Sequence, residues 1–365
     1  MKILHTEASC GWGGQEIRIL DEAAGFIARG HEVHVAAPAE APIISAAKHR
    51  KIPVHCIALD RRGLNSWRAL RVLISKVRPD IIVTHSSSDS WLIAAVTLFS
   101  RPRPVVIRLR HISAPVRRGP LNRWLYGSAP ARVVTTGEAI RSMLIERLGL
   151  DPAQVVSVPT GTDLSRFRPG NKAVARKKLG LPENQKIVGI VATLRSWKGH
   201  RFLVSAMAEP RLSSARLIIV GDGPQEPPLR KQIDELRLAD RVQLAGRHDD
   251  VLPWLQAFDV FVLPSTANEG VPQALMQALA CELPVVTTSA GGISELAREG
   301  ENALIVPTEN PGALADAIER LLQDPVLCKR LGAAGRRAVE EKHSTEAMLE
   351  AMEDVFHEAI QVSAR

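Results

Sequence analysis

Glu269, Gly270, Val271 and Pro272 make a tight loop between an apolar run at 260–263 and a helical pattern at 274–280. A carboxylate beside the amides of a helix start can hold sugar hydroxyls while those amides face phosphate. Residues 260–295 are therefore expected to hold the sugar and nucleotide of an activated sugar donor. Gly291 and Gly292 open a further loop in this stretch, ahead of another expected helix. Lys198 and Arg195 lie in the loop 193–199, after the apolar run 186–192. Their cationic heads match phosphate oxygens, Arg195 being otherwise suited to a surface ion pair. Gly221, Asp222, Gly223 and Pro224 end the next apolar run. In the first half the chemical groups are the glycine-rich turn 10–16, with Gly13 and Gly14, and His111, which follows a strand pattern at 105–109. His85 has a similar placement.

The elements that must position these groups alternate between strand and helix. Residues 3–4, 32–36, 54–59, 81–84, 105–109, 132–135 and 155–158 read as strands, with helical spacing at 17–27, 66–77, 91–99 and 138–148. The break at Pro159, Thr160, Gly161, Thr162 and Asp163 precedes a polar, basic connection at 169–182, so the domain boundary is set at 165/166. Alternation then resumes, with helices at 201–207, 226–236, 249–256, 312–323 and 332–341 and a last strand at 303–306. Met348, Leu349, Met352, Val355, Phe356 and Ile360 form one stripe of a terminal helix. This predicts an α/β chain of two lobes with a cleft between them. The domains are 1–165, 166–344, and a C-terminal helix at 345–365 packing back on the first. Loops at strand C-termini are where such sheets bind ligands.

Composition narrows the partners. The 365 residues suit two domains of ordinary size. No apolar run is long enough to span a bilayer, and residues 1–5 enter a strand directly, with no leader expected. Cys10, Cys56, Cys281 and Cys328 lack metal or redox spacing and suggest reduced thiols in a cytoplasmic protein. Residues 1–165 hold 22 Lys and Arg against 13 Asp and Glu, whereas residues 166–365 hold 25 against 26. A basic first half suits an anionic acceptor or the inner face of an anionic membrane. Arg117, Arg118 and Arg123 among Leu121, Trp124, Leu125 and Tyr126 suit either a helix dipping into lipid headgroups or one packed on its own domain. The same two readings apply to Arg68, Arg71 and Lys76 at 66–77. Aromatics are 4% of residues and no nucleic-acid motif occurs, so nucleic acid is not an expected partner. The first-turn glycines do not fit a dinucleotide fingerprint.

With these motifs in order, the chain resembles the retaining, nucleotide-sugar-dependent glycosyltransferases of family 4. The likeness covers nearly all of it and is densest from Glu269 to Glu295. The resemblance implies a GT-B fold, with two Rossmann-like doubly wound domains facing each other across a cleft. It implies Lys198 and an Arg on the donor diphosphate, Glu269 on the donor sugar, and the Gly13 and Gly14 amides near the phosphate or reacting centre. His111 would lie near the donor sugar. Thr193 stands where the family carries the Arg, and Arg195 could reach the same phosphates by a shifted path. Gln277 stands where a second Glu usually holds the ribose, and can still hydrogen-bond to it without charge. Pro272 removes an amide that the family's usual Gly would offer; those of Gly270 and Val271 remain. Gly221 and Gly223 complete the donor-binding set.

The expected reaction moves a hexose from a nucleoside-diphosphate sugar, UDP- first and GDP- second, to a glycan or lipid-linked acceptor such as lipopolysaccharide core. No Asp-x-Asp occurs, and neither metal nor cofactor is expected. The alternatives are a nucleotide-sugar epimerase of the same fold and a non-catalytic glycan- or lipid-binding homologue.

Overall fold

The computed structural model describes every residue except 62, 99, 101, 113, 268, 364 and 365. Its first half alternates as expected: β1 (Lys2–Thr6), α1 (Gly14–Ala28), β2 (Glu32–Ala37), α2 (Pro42–His49), β3 (Val54–Cys56), α3 (Leu64–Val77), β4 (Ile81–Thr84), α4 (Ser87–Thr97), β5 (Val105–Arg110), α5 (Pro120–Gly127), β6 (Arg132–Thr135), α6 (Glu138–Leu148) and β7 (Val155–Ser157). The second half continues with α7 (Lys172–Leu179), β8 (Lys186–Val191), α8 (His200–Met207), β9 (Ala215–Val220), α9 (Glu226–Glu235), β10 (Val242–Gly246), α10 (Leu252–Ala257), β11 (Val260–Leu263), α11 (Gln273–Ala280), β12 (Val285–Thr287), β13 (Leu304–Ile305), α12 (Pro311–Gln323), α13 (Pro325–Lys342) and α14 (Thr345–Ser363).

Each half forms its own parallel sheet, in the orders β3-β2-β1-β4-β5-β6-β7 and β10-β9-β8-β11-β12-β13. Strand order reverses between β1 and β4 in one sheet and between β8 and β11 in the other, where open α/β sheets bind ligands. Residues of the central strands β1, β4, β9 and β11 are buried on both faces, because successive side chains point to opposite helix layers. Ile3, Val35, Ile81, Val83 and Ile107 meet Ile19 and Phe26 of α1 and Leu349 and Phe356 of α14. Leu4, Ala36 and Ile82 meet Leu70 and Leu73 of α3 and Ile93 of α4.

Two units result, Met1–Gly161 with Thr345–Arg365, and Thr162–Ser344. The division falls just ahead of the expected 165/166 boundary, because Thr162 N–H already donates to His343 O of the second unit at 2.8 Å. Helix α14 seals one sheet face of the first unit. Met348, Leu349, Met352, Val355 and Phe356 are buried there, and Arg29 pairs with Glu346 and Glu353 at 2.8 Å each. Its five carboxylates lower that unit's balance to 23 Lys and Arg against 17 Asp and Glu, so the charge asymmetry of the linear halves is weaker in the folded units.

Several boundaries differ from the sequence pattern, each for a local reason. Helix α4 starts at Ser87 rather than 91, because Ser86 and Asp89 form a capping box; residue 99, its expected end, lies outside the described residues. Helix α13 starts at Pro325 rather than 332, because Asp324 Oδ1 accepts from Leu327 N–H at 2.8 Å. Gly291–Glu295 closes only a 3-10 turn where a helix was expected. Helix α2 was not anticipated.

Candidate functional site

In the second unit, Lys198 and Glu269 are brought into contact from loops that follow β8 and β11. Lys198 Nζ lies 2.6 Å from Glu269 Oε1 and 2.9 Å from Oε2. Ser265 Oγ donates to Oε1 at 2.6 Å. Glu269 is 5% exposed, and the loop around it is built by backbone contacts. Gly292 N–H donates to Glu269 O at 3.1 Å, and Thr288 Oγ1 donates to Ser265 O at 2.6 Å. Gly291 has φ 57°, and a Cβ there would stand 2.3 Å from Glu269 O, so only glycine fits. Gly270 and Val271 follow Glu269 directly, and α11 starts at Gln273 with Pro272 as its N-cap. Gln277, on α11, is buried at 8% exposure.

The 193–199 loop is clamped by its neighbour. Leu194 N–H donates to Asp222 O at 2.8 Å, and Gln225 N–H donates to Leu194 O at 3.0 Å. Gly221 has φ 143°, and a Cβ on it would meet Ala192 O at 2.0 Å. Glycine at 221 is therefore explained by this packing alone. A Cβ on Gly223 would stand 2.7 Å from Leu194 O, also too close for any other residue. Thr193 and Arg195 are exposed, and the Arg195 guanidinium lies 5.9 Å from the Trp197 ring centre.

In the first unit, Gly13 is the extended N-cap of α1, and a Cβ on it would meet Glu16 only at an ordinary 3.8 Å. Gly14 is the first residue of α1 and is exposed. His111, half-buried after β5, ends a row of imidazoles. His5 Nδ1 lies 3.0 Å from His85 Nε2, and His85 Nδ1 lies 2.9 Å from His111 Nε2. Burial, then the Arg18 charge, lowers the His5 pKa to about 3. Burial holds His85 and His111 well below the ordinary imidazole range; His111 and Arg18 respectively are the next causes. All three rings are neutral at physiological pH.

Two carboxylates are buried beside this row. Glu7 accepts from Ser9 N–H at 2.6 Å, from Ser86 Oγ and from Gln15 Nε2; burial nonetheless raises its pKa. Asp89 accepts from Thr6 Oγ1 at 2.8 Å and from the amides of His85, Ser86 and Ser90. Burial, then Glu7, pushes Asp89 up to about 7 against those donors.

Residues 12–166 match the model for glycosyltransferase family 4, and residues 171–338 match that for glycosyl transferases group 1. The two glycosyltransferase models together span most of the chain, which belongs to the glycosyltransferases, with a family 4 domain in its first half. A D-inositol 3-phosphate glycosyltransferase of Streptomyces bingchenggensis is 31% identical over 246 residues, 64% of this chain. The match spans about half of that relative's length, 54%. The putative glycosyltransferase EpsD of Bacillus subtilis is 26% identical over 91% of this chain and 90% of its own. Anabaena Alr3699/HepE, solved in complex with UDP and glucose, shares the fold at a TM-score of 0.87 and 21% identity, covering 98% of this chain and 99% of that one. Both units of this glycosyltransferase thus have the Rossmann-like α/β form of the GT-B fold.

The structure of this family member joins Lys198 to Glu269 and places Thr193, Arg195, Gly221 and Gly223 on one clamped pair of loops. Gly13, Gly14 and His111 lie in the other unit. Sequence spacing did not single out His5, Glu7 or Asp89. The available signal was weak: polar residues at 5–7 end an otherwise apolar strand. The two arginine-bearing helices pack their apolar stripes on their own unit. Leu125 and Tyr126 of α5 are buried and Trp124 stacks on Trp91, while Leu70, Leu73 and Ile74 of α3 are buried. Leu64, Val72 and Leu121 stay exposed. Among the described residues no helix is long and apolar enough to cross a membrane.

Proposed function

We propose that this glycosyltransferase moves a hexose from a nucleoside-diphosphate sugar, UDP- in first place, to a glycan or lipid-linked acceptor with retention at the anomeric carbon. The observation that carries the reading is the Lys198–Glu269–Ser265 cluster at the strand ends flanking the β8/β11 switch point. In the proposed complex Lys198, with Arg195, neutralises the diphosphate as it leaves. Glu269 holds the sugar hydroxyls and orients the ring rather than attacking it. The Gly270 and Val271 amides face the phosphate, and Gln277 holds the ribose. Charge on the departing diphosphate is met by side chains, so the scheme uses no metal. Retention follows from attack on the face the diphosphate leaves, with that group taking the acceptor's proton.

Gly13 supports a ligand at the first unit. Neither its extended backbone nor crowding requires glycine, so its small size is free to admit a phosphate or sugar. The basic excess of that unit supports a negatively charged acceptor, as do relatives named for an inositol phosphate. Lipopolysaccharide core and other lipid-linked glycans belong to that class, and exposed Leu64, Val72 and Leu121 near basic residues support contact with the inner face of an anionic membrane.

The test is a thermal-shift panel of UDP-, GDP- and ADP-sugars, followed by turnover assays with the sugar that raises Tm most. Transfer by the wild type, lost in Glu269→Ala and Lys198→Ala, is the expected result. Donor consumed equally without an acceptor would favour an epimerase or hydrolase. Binding without turnover would favour a non-catalytic homologue. Equal activity in all three proteins would overturn the site.

A further inference from the structure

We infer that His5, His85 and His111 form a polarised hydrogen-bond row that fixes which nitrogen of His111 carries its proton. The catalytic importance of the row rests on the function proposed above, with His111 beside the donor sugar as the family resemblance implies; its polarity does not. The rings stand on the ends of three adjacent strands, β1, β4 and β5, and stack with centroids 5.3 and 5.2 Å apart. Each neutral imidazole has one N–H and one lone pair, and each contact in the row holds one proton. The row can therefore point only one of two ways as a unit.

The inner end selects the direction. His5 Nε2 is buried and has no hydrogen-bond partner among the described residues. If the row donated inward, His5 would carry an unpaired buried N–H, the costlier orphan. Donating outward leaves a lone pair there instead. His5 Nδ1–H then donates to His85 Nε2, and His85 Nδ1–H donates to His111 Nε2. His111 is left with its proton on Nδ1, as a neutral hydrogen-bond donor at the strand end.

The surroundings keep the row neutral. Arg18 of α1 is fully buried, donates to Val158 O at 2.7 Å, and disfavours an added proton on all three rings. Arg110 of β5 acts the same way on His111. Asp89 of α4 accepts the His85 amide rather than its ring, and Glu7 is occupied by Ser9, Ser86 and Gln15. His85 and His5 are therefore positioning residues: they touch no substrate and act through His111.

The experiment uses the full-length chain with 15N-labelled histidine. Long-range 1H–15N correlation spectra of the ligand-free protein report the tautomer of each ring. His111 is expected as the Nδ1–H form in the wild type. His85→Gln keeps it, since the amide can accept from His5 and donate to His111, whereas His85→Phe releases it to a mixture. His5→Leu cuts the row at its buried end and serves if His85→Phe does not fold. An Nε2–H form of His111 in the wild type, or a tautomer unmoved by cutting the row, would overturn the inference. Kinetics give the separate readout. With UDP-glucose, His85→Phe should lose roughly 10- to 100-fold in kcat at unchanged donor KM, with His85→Gln restoring most of it. Unchanged kcat in His85→Phe would remove the positioning role. A wild type inactive with every nucleotide sugar would refute the proposed function while the spectra still decide the row.

Discussion

Lys198 Nζ bridges both oxygens of Glu269, at 2.6 and 2.9 Å, so the cation and the anion assigned to opposite ends of a donor neutralise each other in the free protein. A largely buried charge is costly unless it is paired, which explains why neither is left alone. A diphosphate would compete with Glu269 for Lys198, and sugar hydroxyls would compensate the carboxylate. Substitution at the two positions should therefore separate by ligand. Calorimetry should show Lys198→Met weakening UDP and UDP-sugar alike, by roughly 10- to 100-fold. Glu269→Gln should leave UDP affinity at or above wild type, because the competing carboxylate is gone, and remove the increment due to the sugar. Equal losses for both ligands in both variants would contradict the division of labour.

Gly13 and Gly221 predict opposite outcomes for substitution. Gly13→Ser adds a favoured N-cap side chain where space exists, so stability should hold or rise by about 0.3 kcal/mol. Transfer should nevertheless fall, on the order of 100-fold, if a ligand approaches that amide. Gly221→Ala forces a Cβ against Ala192 O at left-handed φ and should cost about 3 kcal/mol in denaturant unfolding. A destabilised Gly13→Ser with normal specific activity would reverse the assignment.

Arg195 is exposed and lies beside Trp197, on the loop that Asp222 and Gln225 hold. Arg195→Ala should raise donor KM about 10-fold with little change in Tm, because a charge-assisted contact to phosphate is lost and no core is disturbed. Arg195→Lys should recover part of it. An unchanged KM would leave Lys198 as the phosphate cation by itself.

His200, two residues from Lys198, gives a pH prediction that is read in stability alone. It is 2% exposed, neither ring nitrogen has a partner among the described residues, and burial, then Lys198, lowers its pKa to about 3. The unfolded chain binds a proton near the ordinary imidazole pKa of 6.5, so the unfolded state takes up more protons as pH falls from there toward 3. Stability from the neutral ring is complete above pH 6.5 and declines below it, by about 2 kcal/mol at pH 5. Urea unfolding of His200→Leu at pH 8 and pH 5 should show a smaller loss on acidification than the wild type, by about that amount.

Periodicity and punctuation in the sequence determined the two strand–helix arrays and the amphipathic stripe of the terminal helix, but not α2 or the 3-10 turn at Gly291–Glu295. These are local or stripe-like signals: apolar runs for strands buried on two faces, spaced residues such as Leu349 and Phe356 for a helix with one buried side. The loops with Glu269, Lys198 and Gly221 were legible for the same reason, since turn residues mark strand ends. Tertiary structure alone decided the contacts between strand ends. Lys198 and Glu269 are 71 residues apart, and His5, His85 and His111 are separated by 80 and 26, yet both groups converge. A parallel sheet aligns the C-terminal ends of strands distant in the chain, and strand order is set by side-chain packing across the sheet rather than by any residue's neighbours. The burial that neutralises the histidines and the close approach that demands Gly221 arise from that same assembly, so no window of sequence contained them.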